Sequence, residues 1–318
     1  MKYKTLISYV FVVFLASVFA AGFIGLPENN DQYPLRYVSF QSGTPAIYRV
    51  LIPIIARAIM LFGVSADWSI AIIIFISGVG SFWALRRLYD LYGIGDLYTL
   101  ISFTIIYLFT LNFRTPIEFT TVLIFCLSYY ALQRRQYGSF FTIFFIACLH
   151  RETAILLIVL YVLDANARSR IFPRPNRTII IELAYLFMTY GSIRLVTVEI
   201  FRNATGSGFA IWDYDVMGVY LRDPIMIIPA VLFIALFVFL YKNWGNIKYP
   251  FLKRAFVLFP IQILLHLIAG NPYEIRVMVE SLPVLLAIIH PSVYTFSLPR
   301  IMVRKERKIS GSNKTPSP

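Results

Sequence analysis

Residues 139–163 read SFFTIFFIACLHRETAILLIVLYVL, an apolar run that is interrupted by HRET at 150–153. The run is too long for one untilted membrane helix, and its ionisable residues lie near the middle. We therefore predict two short helices, about 138–149 and 152–164, that meet at this turn. Each would be about 18 Å long at about 1.5 Å per residue, against a hydrocarbon core of about 30 Å. The turn then lies below the outer surface, in a cavity that water reaches.

The composition predicts a polytopic membrane protein. The 318 residues are 58% hydrophobic and only 14% charged, whereas a soluble domain is about 25% charged. The net charge of +13 does not indicate a nucleic-acid partner, because the basic residues form short clusters between apolar runs and in the tail. Cys126 and Cys148 lie in apolar runs without metal-ligand or redox spacing, which favours buried, structural cysteines.

The apolar runs predict an all-α transmembrane helix bundle of about ten segments, including the short re-entrant-like helix pair. Residues 1–298 are expected to form a single transmembrane domain, and 299–318 a basic, disordered cytoplasmic tail. The first run favours an uncleaved helix over a cleaved signal peptide. In chain order, the predicted segments are 5–26, 68–85, 97–112, 115–132, 138–149, 152–164, 178–197, 223–241, 255–269 and 274–290.

One further apolar stretch, 44–63, is predicted to lie on the membrane surface within a first outer loop, 27–66. Its residues Arg49, Pro53 and Arg57 are spaced four apart, so they share one helical face. We expect that face to turn towards water or lipid headgroups.

The distribution of lysine and arginine then sets the topology. If 44–63 does not cross the membrane, the basic clusters at Arg86–Arg87, Arg134–Arg135 and 164–177 all fall on the side of the N-terminus. The positive-inside tendency makes that side the cytoplasm. The prediction is a multi-pass protein of the plasma membrane with both termini in the cytoplasm.

This topology gathers many ionisable residues on the outer side. Charges at membrane depth are costly, so they indicate a functional site by default. Structural roles compete with this interpretation, such as a helix-dipole interaction, a capped turn or a solvated loop. Asp31 is the sharpest candidate in the first loop, with Glu28 nearby. The candidates for binding a substrate are Arg49, Arg114, His150, Arg151, Glu152, Asp213, Glu274 and Arg276.

The pattern resembles the GT-C superfamily of membrane glycosyltransferases over about residues 1–290. The first helix, the outer loop with an acid and a surface helix, and the bundle with outer polar residues carry the resemblance. So do the phrases TPAIYRVLIPI, CLHRETAILL and GNPYEIRVMVESLPVLL. The loop departs from the family in having Glu28 and Asp31 separated by two asparagines instead of an acid pair.

The resemblance implies a sugar donor linked to polyprenyl phosphate, an inverting transfer, and a glycan, lipid or protein acceptor. Asp31 would be the base, with Glu28 in reserve. Arg151 and Arg276 would bind the departing phosphate, supported by Arg49 and His150. Glu152 and Glu274 would orient the arginines or bind sugar hydroxyls. No cofactor is assigned, and the loose acids Asp213 and Asp215 are the candidates for a divalent cation.

Two other functions fit the same residues. A polymerase or ligase of lipid-linked glycans would use the same outer arginines, although such enzymes typically have a larger outer loop than 198–222. A transporter or flippase of a lipid-linked or anionic substrate would be non-enzymatic. Transporters often show broken helices in corresponding halves, and only one broken segment is evident in this sequence.

Overall fold

The structure, a computed structural model, describes residues 2–25, 38–39, 49–111, 117–169, 176–201, 235, 238–269 and 279–294. The fold in these ranges is all-helical, without strands. Ile247 and Tyr294 form an isolated antiparallel bridge. In chain order, the α-helices are α1 (Lys2–Gly25), α2 (Leu51–Met60), α3 (Ala66–Asp90), α4 (Asp96–Leu111), α5 (Ile117–Gln133), α6 (Tyr137–His150), α7 (Ile155–Ser169), α8 (Asn176–Ile200), α9 (Pro250–Phe256), α10 (Leu258–Ala269) and α11 (Leu282–Ile289).

Three of these helices are long and apolar enough to cross a membrane. The spans are Thr5–Gly22 in α1, Ala66–Asp90 in α3 and Arg177–Ile200 in α8. α8 turns large apolar side chains outward, among them Met188 and Leu195, as a lipid-facing helix does. An all-helical membrane protein is thus supported, whereas the total of ten segments stays a prediction. Most of segment 223–241 lies outside the described residues.

Small residues let α3 pack closely against α1 and α5. Ser77 and Thr120 share a hydrogen bond of 2.8 Å, and the hydroxyl of Ser81 donates to the carbonyl of Phe119 at 2.6 Å. On the other side of α3, a Cβ built at Gly78 would lie 3.2 Å from the Cβ of Ala16. Without a hydrophobic force between helices in lipid, such close backbone approach and interhelical hydrogen bonds drive association.

The predicted helix break is present at HRET. Arg151 is extended, with φ −153° and ψ 151°, between the end of α6 and a 3-10 turn at Glu152–Ala154. The chain reverses here, because Phe140 in the first turn of α6 stacks on Tyr161 of α7 with ring centroids 5.7 Å apart. α7 continues to Ser169, five residues beyond the predicted end. The membrane depth of the pair stays a prediction.

The predicted surface helix is shorter than expected and is oriented differently. α2 begins at Leu51 and buries Ile52, Pro53 and Ala56. Pro53 was expected on a face turned to water, but the structure packs it inward. Arg49 also turns inward, towards Glu152. Of the three residues on that face, only Arg57 is exposed, and its Nε donates to the carbonyl of Val38 at 2.8 Å.

Ion pairs join the helix ends that the sequence places in the cytoplasm. Arg86 of α3 donates to Asp96 at 2.8 Å, and the hydroxyl of Thr5 donates to the same carboxylate at 2.6 Å. The Thr5 hydroxyl, and then Arg86, lower the pKa of Asp96, which precedes the predicted segment 97–112. Arg254 of α9 pairs with Asp164 of α7 at 2.8 Å. These pairs join α1 to α3 and α4, and α7 to α9.

Replacing Gly78 with leucine should destabilise the bundle by about 1–3 kcal/mol, because the new side chain meets Ala16 where backbones approach closely. The matched control is Gly191→Ala in α8, where a Cβ meets nothing within 4 Å. That change should stabilise by about 0.5–1 kcal/mol through helix propensity. Thermal unfolding in detergent measures both, and equal stability of Gly78→Leu and wild type would contradict the packing described.

Candidate functional site

A buried guanidinium forms the inner layer of the candidate site. Arg151 donates to the carboxylate of Glu118 in the first turn of α5 at 2.8 Å, and it lies 3.4 Å from the carboxylate of Glu280. Arg151 is 4% exposed, Glu118 1% and Glu280 0%. The three residues come from three separate parts of the chain. The ion pairs therefore hold the HRET turn against α5 and against the segment that precedes α11.

Both carboxylate oxygens of Glu280 and its backbone carbonyl accept hydrogen bonds. The hydroxyl of Thr153 donates to one carboxylate oxygen at 2.7 Å, and the amide of Gln262 in α10 donates to the other. Ser281 in turn donates to Gln262. The backbone carbonyl of Glu280 accepts from the hydroxyl of Tyr129 at 2.8 Å. Buried carboxylates are tolerated where paired and hydrogen-bonded in this way.

The inner layer lies level with the middle of α3. Phe119, which follows Glu118 in the sequence, accepts a hydrogen bond from Ser81, well within the candidate span Ala66–Asp90. His150 is also buried, and its Nε2 lies 2.9 Å from the hydroxyl of Thr121, one α5 turn further on. His150 and Arg151 of the HRET turn are therefore buried inside the bundle, whereas Glu152 and Thr153 are partly exposed.

A second, looser set of charges forms the outer layer. Glu152 lies between two arginines, with its carboxylate 3.4 Å from Arg49 Nε and 3.9 Å from Arg194 Nη1. Its side chain is 37% exposed, against 13% for Arg49 and 14% for Arg194. Arg194 is oriented by its bond to the carbonyl of Cys148 at 2.7 Å and by the ring of Tyr190 beneath it, 5.6 Å from the centroid.

The two layers differ in charge and in accessibility. The inner layer has one arginine and two glutamates, so the guanidinium of Arg151 is already neutralised. Among the described residues, the outer layer has two arginines and one glutamate, so it balances the extra glutamate of the inner layer and the six charges sum to zero. A guanidinium group can donate two parallel hydrogen bonds to a phosphate and stays charged at any physiological pH. Arg49 and Arg194, which are more accessible than Arg151, are therefore the candidates for contacting an anionic group, whereas Arg151 is suited to fixing the turn.

The structure brings four of the predicted residues together at one turn: Arg49, His150, Arg151 and Glu152. The other candidates lie outside the described residues, namely Glu28, Asp31, Arg114, Asp213, Glu274 and Arg276. Asp215, the second acid of the cation hypothesis, also lies outside them. In the part of the chain that the structure describes, no group of three or more His, Cys, Asp or Glu residues could hold a metal ion.

Three charged members of the site, Glu118, Arg194 and Glu280, are not among the candidates predicted from the sequence. Arg194 lies within the apolar segment 178–197, and the rule that intramembrane charges indicate function would have found it. Glu280 contacts Arg151 across 129 positions of the chain. No periodicity in the sequence indicates that contact.

Comparisons of the chain with protein-family models, with curated proteins and with solved structures give no match.

Removing the buried charge of Arg151 should destabilise the protein severely. Arg151→Ala leaves Glu118 and Glu280 without their cation in a site of low dielectric, at a cost of about 3–5 kcal/mol. The triple variant Arg151→Met, Glu118→Gln, Glu280→Gln removes all three charges and should recover most of that loss. Thermal unfolding in detergent compares the two. A single variant as stable as wild type would mean that these ion pairs do not hold the turn.

Proposed function

We propose that the protein is an integral membrane glycosyltransferase that moves a sugar from a polyprenyl-phosphate donor to an acceptor at the outer face of the membrane. The proposal rests on one observation above all: Arg49 and Arg194 flank Glu152, whose side chain is partly exposed, at a turn that is anchored by buried ion pairs in a helical bundle. Two arginines that approach one point suit a lipid phosphate, and the surrounding apolar helices suit its prenyl chain.

The transfer needs a base and a cationic partner for the leaving group. The acceptor hydroxyl attacks the anomeric carbon, its proton passes to the carboxylate of Asp31, and the bond from that carbon to the phosphate oxygen breaks. The electron pair leaves with the polyprenyl phosphate, which gains one negative charge. Arginines that already face this phosphate stabilise the developing charge without reorganising.

The charged residues at and around the turn then have different roles. Arg49 and Arg194 contact the phosphate, and Glu152, which lies 3.4 and 3.9 Å from them, holds both guanidinium groups in place by attraction. Arg151, neutralised by Glu118 and Glu280, acts as a positioning residue that fixes the backbone of the turn. His150 is held by Thr121 and supports the same backbone.

Asp31→Asn should abolish sugar transfer while expression and thermal stability stay at wild-type values, because the amide cannot accept the proton. Asp67→Asn is the matched control, since Asp67 is an acid in the first turn of α3. Transfer is measured with a radiolabelled polyprenyl-phosphate sugar and purified enzyme. Undiminished transfer by Asp31→Asn would remove Asp31 from the mechanism.

Arg194→Gln and Arg49→Gln should each weaken use of the lipid donor by about tenfold to a hundredfold in kcat/KM, as expected for the loss of one charge-assisted contact of about 1.5–3 kcal/mol. Arg177→Gln, an exposed arginine at the other end of α8, should leave it unchanged. Steady-state kinetics across donor concentrations measures the effect. Equal losses in all three variants would argue against a phosphate site at the turn.

A transporter of an anionic or lipid-linked substrate is the alternative that one observation favours, because broken helices with charged residues also line transport sites. Proteoliposomes separate the two functions. Movement of the labelled substrate into the lumen without any glycosylated product would favour transport and overturn the enzymatic proposal.

A further inference from the structure

A polar cavity lies where α3 ends, away from the HRET turn. It has a volume of about 180 Å³ and is formed by residues of α1 and α3. On α3, the adjacent residues Arg86 and Arg87 lie three and four positions after Trp83, and Asp90 lies four and three positions after them, so the four residues are neighbours on the helix surface. The lining residues are Tyr9, Trp83, Arg86, Arg87 and Asp90.

Only one of the two arginines of this cavity forms an ion pair with a described residue. Arg86 is committed to Asp96, at 2.8 Å. Arg87 and Asp90 are three residues apart but form no ion pair; instead, the guanidinium of Arg87 lies over the ring of Trp83, 5.7 Å from its centroid. Arg87 and Asp90 are both exposed. The cavity therefore presents one cation and one anion side by side.

The position of the cavity along the helices indicates which kind of molecule could bind there. It lies at the end of the candidate spans Thr5–Gly22 and Ala66–Asp90. Tryptophan and tyrosine at such an end mark the level of the lipid headgroups, with arginine next to them. A molecule that meets this cavity at that level is a phospholipid, whose headgroup carries a phosphate.

We propose that this cavity binds the headgroup of a phospholipid with a primary amine, phosphatidylethanolamine being the common chemistry. Arg87 pairs with the phosphate, and Asp90 accepts hydrogen bonds from the ammonium group. A quaternary choline has no N–H to donate to Asp90. An anionic headgroup without an amine gains Arg87 but is repelled by Asp90. The site is thus expected to discriminate between headgroups. A belt of interfacial aromatic residues alone would not have this selectivity.

The test measures lipid binding to the full chain in detergent by native mass spectrometry, with lipids of identical acyl chains. Wild type should bind phosphatidylethanolamine about fivefold more tightly than phosphatidylcholine or phosphatidylglycerol. This ratio corresponds to the upper end of what one exposed ion pair contributes. Asp90→Asn should remove the preference over phosphatidylcholine. Arg87→Gln should weaken binding of all three lipids.

A matched control is available at the end of α5. Arg134 is exposed and lies over Tyr130, 5.8 Å from the ring centroid, which repeats the arrangement of Arg87 and Trp83. Arg134→Gln should leave lipid binding unchanged. Equal binding of the three lipids by wild type, an unaltered preference in Asp90→Asn, or equal losses in Arg134→Gln and Arg87→Gln would each overturn the proposal. Displacement of the lipid by soluble phosphoethanolamine would assign the site to a free metabolite and overturn the lipid assignment.

Discussion

The ion pairs of Arg151 with Glu118 and Glu280 are the constraint on which the rest of the described structure depends. A guanidinium that is 4% exposed is tolerated only where its charge is matched and its donors are satisfied. Its two partners come from α5 and from the segment before α11. The reversal of the chain between α6 and α7 is thereby tied to two distant parts of the bundle, and none of the three can move away without leaving a charge unpaired.

This anchoring explains why the outer layer can be loose. Glu152 follows Arg151 directly, and its backbone carbonyl accepts from the hydroxyl of Tyr190 at 3.0 Å. The backbone of the turn is thus held from the side of Arg151 and from α8. The side chain of Glu152 lies 3.4 Å from Arg49 and 3.9 Å from Arg194, both longer than the 2.8 Å between Arg151 and Glu118. A fixed inner layer beneath a looser outer layer is a suitable arrangement for the proposed binding site.

The sequence predicts the local backbone features of this site better than it predicts which distant residues contact each other there. The break at HRET follows from the cost of placing ionisable residues within an apolar run, and the helices on both sides of it are found within a few residues, except for the longer end of α7. The spacing of Arg49, Pro53 and Arg57 predicts one helical face turned to water, but Arg49 precedes α2, Pro53 is buried and only Arg57 is exposed. Packing of Ile52 and Pro53 against the bundle, and the attraction between Arg49 and Glu152, turn most of that face inward. The pairing of Arg151 with Glu280 depends on the tertiary fold, so local patterns do not contain it.

The protein uses arginine in two ways, and only one of them follows from membrane topology. Arg87 and Arg134 are exposed at helix ends and lie over aromatic rings, as expected for residues that hold helix ends at a membrane surface. Arg49, Arg151 and Arg194 are mostly buried and are paired with glutamates inside the bundle. Orientation in the membrane does not require charges there, and apolar residues of the same volume would give equal or greater stability. Arg151 has a structural use there, since it fixes the turn, whereas Arg49 and Arg194 are the arginines that the proposed lipid phosphate would contact.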